Sequence, residues 1–182
     1  ISATDTNTTG DGGVVAVANA GTFHDLANDL SAGGNISLTR DYIQTDSQGS
    51  IDITKNTNIN GNGHTIDAQG KSGIFYIGNG VSVTLKNITF TNGQAVGDGG
   101  AIYVRYGSVI VEDSTFINTT AVYDGGAIFI NRGSGTVINS TFNNTQTGIQ
   151  GGAIRNWGGA VTVSGSTFND NSANSKGASI YS

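Results

Sequence analysis

Four short segments, Phe90-Thr91-Asn92, Phe116-Ile117-Asn118, Phe142-Asn143-Asn144 and Phe168-Asn169-Asp170, follow one another at a constant interval of 26 residues. The same interval separates Gly99-Gly100-Ala101-Ile102, Gly125-Gly126-Ala127-Ile128 and Gly151-Gly152-Ala153-Ile154, with a degenerate copy at Gly177-Ala178-Ser179-Ile180. It also links Leu85, Val111, Val137 and Val163, and it can be walked back to Ile59, which puts His64 in the Phe column. Unrelated columns that share one step without an insertion are the mark of a solenoid, in which each repeat stacks on the next.

Between the columns the apolar residues alternate with polar ones, as in Val109-Ile110-Val111-Glu112 and Val161-Thr162-Val163-Ser164. A period of two means strand. One turn of the repeat has room for about three short strands and their bends, and stacking in register sets each residue about 4.8 Å above its counterpart. The Phe column then becomes an interior aromatic stack, and Leu85, Val111, Val137 and Val163 become an aliphatic one. Asn92, Asn118 and Asn144 form an amide ladder capping a bend, which Asp170 interrupts. Gly-Gly permits a positive φ at the next corner, and the Ala that follows suits a tight interior.

The composition narrows the class further. The chain has 182 residues, the size of one domain, with 29 Gly, 12% charged residues and no Pro, Cys or Met. A packed helical protein needs more Leu, Ala, Glu and Lys, and the regular Val, Ile and Phe argue against disorder. Without Cys there is no disulfide framework and no thiolate metal site. Without Met the chain reads as a processed or excised segment, and a removed secretory signal is the simpler account. A net charge of −5 with no Lys/Arg cluster gives no footprint for nucleic acid or anionic lipid. No apolar run approaches the roughly 20 residues that span a membrane.

Thr22 with Asp25 resembles a capping box, and Phe23, Leu26 and Leu30 fall on one helical face. A short N-terminal helix is therefore expected to cover the first rung, because open strand edges recruit other strands. Strands begin over 35–42 and 50–54, and 58–67 enters the repeat. Residues 1–21 form an extension whose Val14-Val15-Ala16-Val17-Ala18 run reads as a strand in search of a partner. Ile180 and Tyr181 lie inside a strand that no capping helix follows. Val14, Val15, Val17, Ile180 and Tyr181 are thus the expected joint of a head-to-tail assembly.

The pairing of the Phe elements with Gly-Gly-Ala-Ile resembles the repeats of chlamydial polymorphic outer membrane proteins. The layout of Thr22-Phe23-His24-Asp25-Leu26, Leu38-Thr39-Arg40-Asp41-Tyr42 and Gly61-Asn62-Gly63-His64-Thr65-Ile66-Asp67 ahead of those repeats is similar to adhesin-like surface proteins of methanogenic archaea. The resemblance covers roughly residues 22 to 182. It implies an all-β fold, a right-handed parallel β-helix, with an extracellular location and a role in surface adhesion. Proteins of that kind continue into further repeats and anchoring modules, so the resemblance makes this chain either a fragment or a small subunit that polymerises.

Polysaccharide-cleaving enzymes also use β-helices, and glycoside hydrolysis needs two carboxylates roughly 5 to 9.5 Å apart. Asp98 and Asp124 share the column before Gly-Gly, about one rung apart. That column continues as Gln150 and Lys176 and builds no acidic patch, so both read better as turn residues accepting backbone N–H bonds. Calcium needs about six or more oxygens, which the sequence does not gather. His64 reads as a first-rung interior or bend residue and His24 as a solvated helix residue, and no Ser/His/Asp set is in reach. Trp157, Tyr103, Tyr106, Tyr123 and Tyr181 offer surfaces for sugar rings, although packing on strands is the better account of aromatics there. Arg105 and Arg155 read as outward solubilising residues. Glycosylation sequons stand at Asn7, Asn35, Asn87, Asn118, Asn139 and Asn143, as chance alone provides in a chain so rich in Asn, Ser and Thr, and an inward Asn118 makes a poor acceptor.

The sequence thus predicts a non-enzymatic cell-surface structural or adhesion protein, secreted, without cofactor or metal. Its expected partners are copies of itself and surface glycans or proteins. The alternative is a carbohydrate-binding or polysaccharide-cleaving β-helix module.

Overall fold

A computed structural model describes residues 20–182. Over these residues the chain is an all-parallel β-solenoid with four sheets running along its axis, of seven, six, six and four strands. One regular turn runs through Ile102–Arg105, Ser108–Glu112, Thr115–Ile117 and the two-residue Thr120–Ala121, each strand entering a different sheet. The alternation of the sequence fixes which side chains enter: in Ser108–Glu112 the buried positions are Val109 and Val111. Val111 pairs with Leu85 on one side and Val137 on the other, and Val137 pairs with Val163.

The interior consists of vertical files. Phe90, Phe116, Phe142 and Phe168 are register partners in consecutive turns. Their centroids stand 4.8, 4.7 and 4.9 Å apart. Phe75 meets Phe90 edge-on at 5.9 Å from the opposite wall. Corners recur as faithfully as strands. Asn92, Asn118, Asn144 and Asp170 all have φ between 52° and 54°, a left-handed bend that Asn and Asp tolerate through their short polar side chains. The amides of Asn118 and Asn144 point outward: Asn144 Nδ2 donates to Asn118 Oδ1 at 2.8 Å, and both residues are exposed. The ladder caps a bend as expected, but an inward Asn118 is ruled out.

The inward polar file lies elsewhere. Ser114 Oγ accepts from Ile88 N–H at 3.2 Å and donates to Glu112 O at 2.8 Å, and Ser140 and Ser166 repeat the pattern one and two turns on. Each hydroxyl satisfies a backbone N–H where the strand ladder breaks at the corner, as a buried amide requires.

The Gly-Gly corner has the conformation its sequence calls for. Gly99, Gly125, Gly151 and Gly177 have φ of 64° to 69°. The second glycine is required by space: a Cβ on Gly126 would stand 2.0 Å from Gly152 O. Ala101, Ala127 and Ala153 follow, fully buried.

Phe23–Leu30 forms the helix over the first rung, with Phe23, Leu26 and Leu30 buried. Thr22 accepts from Asp25 N–H, and the Asp25 carboxylate accepts from Thr22 N–H, so the capping box is complete. The bonds that the Asp25 carboxylate accepts from Thr22 N–H and Thr22 Oγ1–H hold its carboxyl below its usual range. Tyr42 Oη donates to Asp29 Oδ2 at 2.7 Å and ties the helix to the strand beneath.

His64 does not stand in the Phe file. Ile66 is the register partner of Phe90 and is fully buried. Thr57 pairs with Val83 and Thr65 with Thr89, so this corner holds two more residues in the earlier turn. Asn62 and Gly63 absorb the excess at φ of 52° and 84°. His64 sits on that bend with Nδ1 3.1 Å from Asp41 Oδ1, which also accepts from Thr65 N–H.

Candidate functional site

The outer surface is uniform except where the turn length changes. Asp67 pairs with Thr91 and Phe75 with Ile102. The chain takes 8 residues to go from Asp67 to Phe75 but 11 from Thr91 to Ile102, so the later turn projects three extra residues at this corner. All later turns keep the longer form, and the projection becomes a ridge carrying Val96, Val122, Tyr123 and Ile149, exposed by 88, 51, 53 and 41%. Where the ridge begins it overhangs the shorter turns below. The result is a cleft of about 530 Å³ between Val96–Gly99 on one side and Ser50, Lys71 and Ser72 on the other.

The back of this cleft is the outward face of one six-stranded sheet. Register places Asp52, Tyr76, Tyr103, Phe129, Arg155 and Tyr181 in a single outward file. Tyr76 and Tyr103 meet edge to face, with centroids 5.4 Å apart and planes at 86°. Farther along the axis the file is covered: Phe129, tilted against Tyr103 at 5.1 Å, faces outward yet is only 1% exposed. Tyr76 also lines two smaller concavities on the far side of the same face, of about 240 Å³ beside Asp52 and Val81 and about 270 Å³ beside Arg105 and Tyr106.

Asp98 lines the cleft, and its Oδ1 accepts from Asp124 N–H at 3.1 Å. Burial lifts its carboxyl above the usual range; the hydrogen bond from Asp124 opposes this, and the Asp124 charge adds to it. Asp124 does not join it at the opening. Its Oδ1 accepts from Gln150 N–H at 3.0 Å, and its Oδ2 lies 3.7 Å from Arg155 Nε. The turn role read from the sequence is what both residues perform, with a pairing to Arg155 added.

That pairing corrects the reading of Arg155 as a solubilising residue. Its side chain is only 11% exposed, and the guanidinium lies over the Tyr181 ring at 4.5 Å. Arg105 is exposed. Trp157, 52% exposed, lies away from the cleft. Of the expected assembly residues, Val14, Val15 and Val17 fall outside the described residues, Ile180 is 36% exposed, and Tyr181 is half-buried under Arg155. Asn35, Asn87 and Asn139 are exposed, while Asn7 falls outside the described residues. Among the described residues no cluster of three or more His, Cys, Asp or Glu could hold a metal ion, and no helix is long and apolar enough to cross a membrane.

The serine file and the cleft both escaped sequence reasoning. The serines were visible in the Ser-Thr-Phe triplets that end at Phe116, Phe142 and Phe168, where the first turn has Ile88-Thr89-Phe90 instead. The cleft had a signal too, in the absence of the Phe and Gly-Gly columns one step ahead of Phe90 and Gly99, where His64 and Gly73-Ile74 stand instead. No family model matches the chain, and no curated protein or solved structure matches it.

Proposed function

We propose that the protein is a non-enzymatic structural and adhesive component of a cell surface, acting outside the cell as a stiff rod. The observation that supports this most is the file construction of the interior. Rings and methyls stack turn on turn with a single register, and such quasi-one-dimensional packing resists bending about any one turn. The exterior is correspondingly repetitive and rich in Asn, Ser and Thr, a surface that stays hydrated without carrying strong charge.

In this reading the rod is extended by further turns, supplied by its own chain or by another copy. The last turn is where extension would occur. Val161, Val163 and Phe168 occupy interior files and are only partly buried. Electron microscopy of the purified chain tests this: rods of indefinite length mean a filament subunit, and short separate particles mean a segment of a larger adhesin. Unchanged assembly after deletion of residues 1–18 would count against a joint built on the Val14, Val15 and Val17 segment.

A further inference from the structure

We propose that the groove crossing the outer face at Tyr76 binds an uncharged oligosaccharide, so that the adhesive role rests on glycan recognition at this place. The inference depends on the adhesive reading only for its purpose; the binding itself stands or falls on the groove.

The shape comes first. Three concavities, of about 530, 240 and 270 Å³, share Tyr76 as a wall. They lie on either side of Tyr76 across the sheet, the largest at the corner of Gly97 and the two smaller at the corner of Asn79. A groove of this form takes a segment of an extended chain and not a compact metabolite.

Its lining gives the chemistry. Four of the chain's six tyrosines, Tyr76, Tyr103, Tyr106 and Tyr123, face these concavities. Packing does not account for Tyr106 and Tyr123, which are 42 and 53% exposed. A phenol ring is apolar on its face and hydrogen-bonds at its tip, which matches a pyranose with an apolar C–H face and a rim of hydroxyls. The charges are balanced: Asp52 and Asp98 against Lys71 and Arg105. A polyanion would meet the two carboxylates and a polycation the two cations, whereas an uncharged chain suffers neither repulsion. Asp98 adds a half-buried carboxyl able to bond sugar hydroxyls.

The groove is also local. Its largest part opens where the corner lengthens by three residues, and one turn farther on the same outward file is covered at Phe129. A solenoid with a constant turn would have no such opening.

The test uses the intact chain on an array of neutral hexose and N-acetylhexosamine oligomers beside uronate oligomers, with titration of whichever binds. Two exposed residues supply variants that keep the fold, confirmed by circular dichroism: Val96→Arg fills the lip and Tyr123→Ala removes a wall. Trp157→Ala, an exposed aromatic outside the groove, is the control. The expected result is binding of neutral oligomers, weakened at least tenfold by Val96→Arg and Tyr123→Ala and unchanged by Trp157→Ala. Absence of binding, binding confined to uronates, or indifference to both groove variants overturns the proposal. Beads coated with the chain and applied to cells of differing surface glycans separate the two readings. Adhesion that persists with Val96→Arg sinks the groove and leaves the adhesive role. Oligosaccharide binding without adhesion does the reverse.

Discussion

The rings of Phe116 and Phe142 lie face over face, with centroids 4.7 Å apart and planes 1° from parallel. That spacing is set by the strands, which repeat at about 4.8 Å, and not by an optimum of ring stacking. The file therefore stabilises the solenoid chiefly through burial, with roughly 0.5–1.5 kcal/mol per pair from the aromatic contact itself. Phe116→Ala removes a fully buried ring with neighbours above and below and should cost about 3–5 kcal/mol. Phe168→Ala, at the partly exposed end of the file, should cost less. Urea unfolding of the two variants checks the order, and equal losses would mean that the file is not the core.

Ser114 and Ile88 form the corresponding polar relationship. The hydroxyl of Ser114 is the acceptor for Ile88 N–H at a buried corner. Ser114→Ala leaves that amide without a partner, at a cost of about 1–3 kcal/mol. Hydrogen exchange should quicken first at the Ile88 amide. Cys at this position keeps a weak acceptor and should restore part of the loss.

These features divide into those that a period can reveal and those it cannot. A constant step identifies register partners wherever every corner has the same length, and from Leu85 onward the Phe, Val and Gly-Gly files follow it without exception. The helix over the first rung was legible for a different reason, since Thr22, Asp25 and the spacing of Phe23, Leu26 and Leu30 are local signals. Ahead of Leu85 the step holds at Ile59, the register partner of Leu85, and fails at the Phe file. Two residues added at Asn62 and Gly63 shift His64 out of the file and put Ile66 in it. Burial of outward residues is likewise not periodic: in one outward file Phe129 is 1% exposed and Arg155 is held between Asp124 and Tyr181. The groove, whose largest part opens where the corner lengthens, is a property of the irregular turns.

Gly126 and Gly97 allow the corner argument to be tested at nearly neighbouring positions. A Cβ on Gly126 would stand 2.0 Å from Gly152 O and 2.6 Å from Gln146 O, both backbone atoms of the next turn. Only separation of the turns could relieve this, so Gly126→Ala should abolish the folded state or lower its stability by more than the roughly 0.5–3 kcal/mol of most substitutions. Gly97 has nothing within 4 Å of the same added atom, and Gly97→Ala should leave the melting temperature essentially unchanged or raised through a less flexible unfolded chain. Similar melting of both variants would contradict the packing of the Gly-Gly corner.

Asp98 gives the fold a pH dependence opposite to that of its ordinary carboxylates. Burial raises its pKa in the folded chain, so between the unfolded value, near 3.8, and the higher folded value the native state holds more protons than the unfolded one. Stability attributable to this group therefore rises as pH falls from neutral, and it is complete once pH drops below the unfolded value. Asp25 and Asp46 act the other way. Hydrogen bonds from Thr22 N–H and Gln48 N–H lower their pKa, and their contribution is present above 3.8 and lost as pH falls through the folded values. Asp98→Asn keeps an oxygen to accept from Asp124 N–H while removing the buried charge. The variant should melt above the parent chain at pH 7, and the gap should narrow steadily toward pH 4 as the parent gains its proton. A gap that stays constant across that range would mean that Asp98 titrates as an exposed carboxyl, and that the cleft beneath the ridge is not the partly desolvated place its geometry describes.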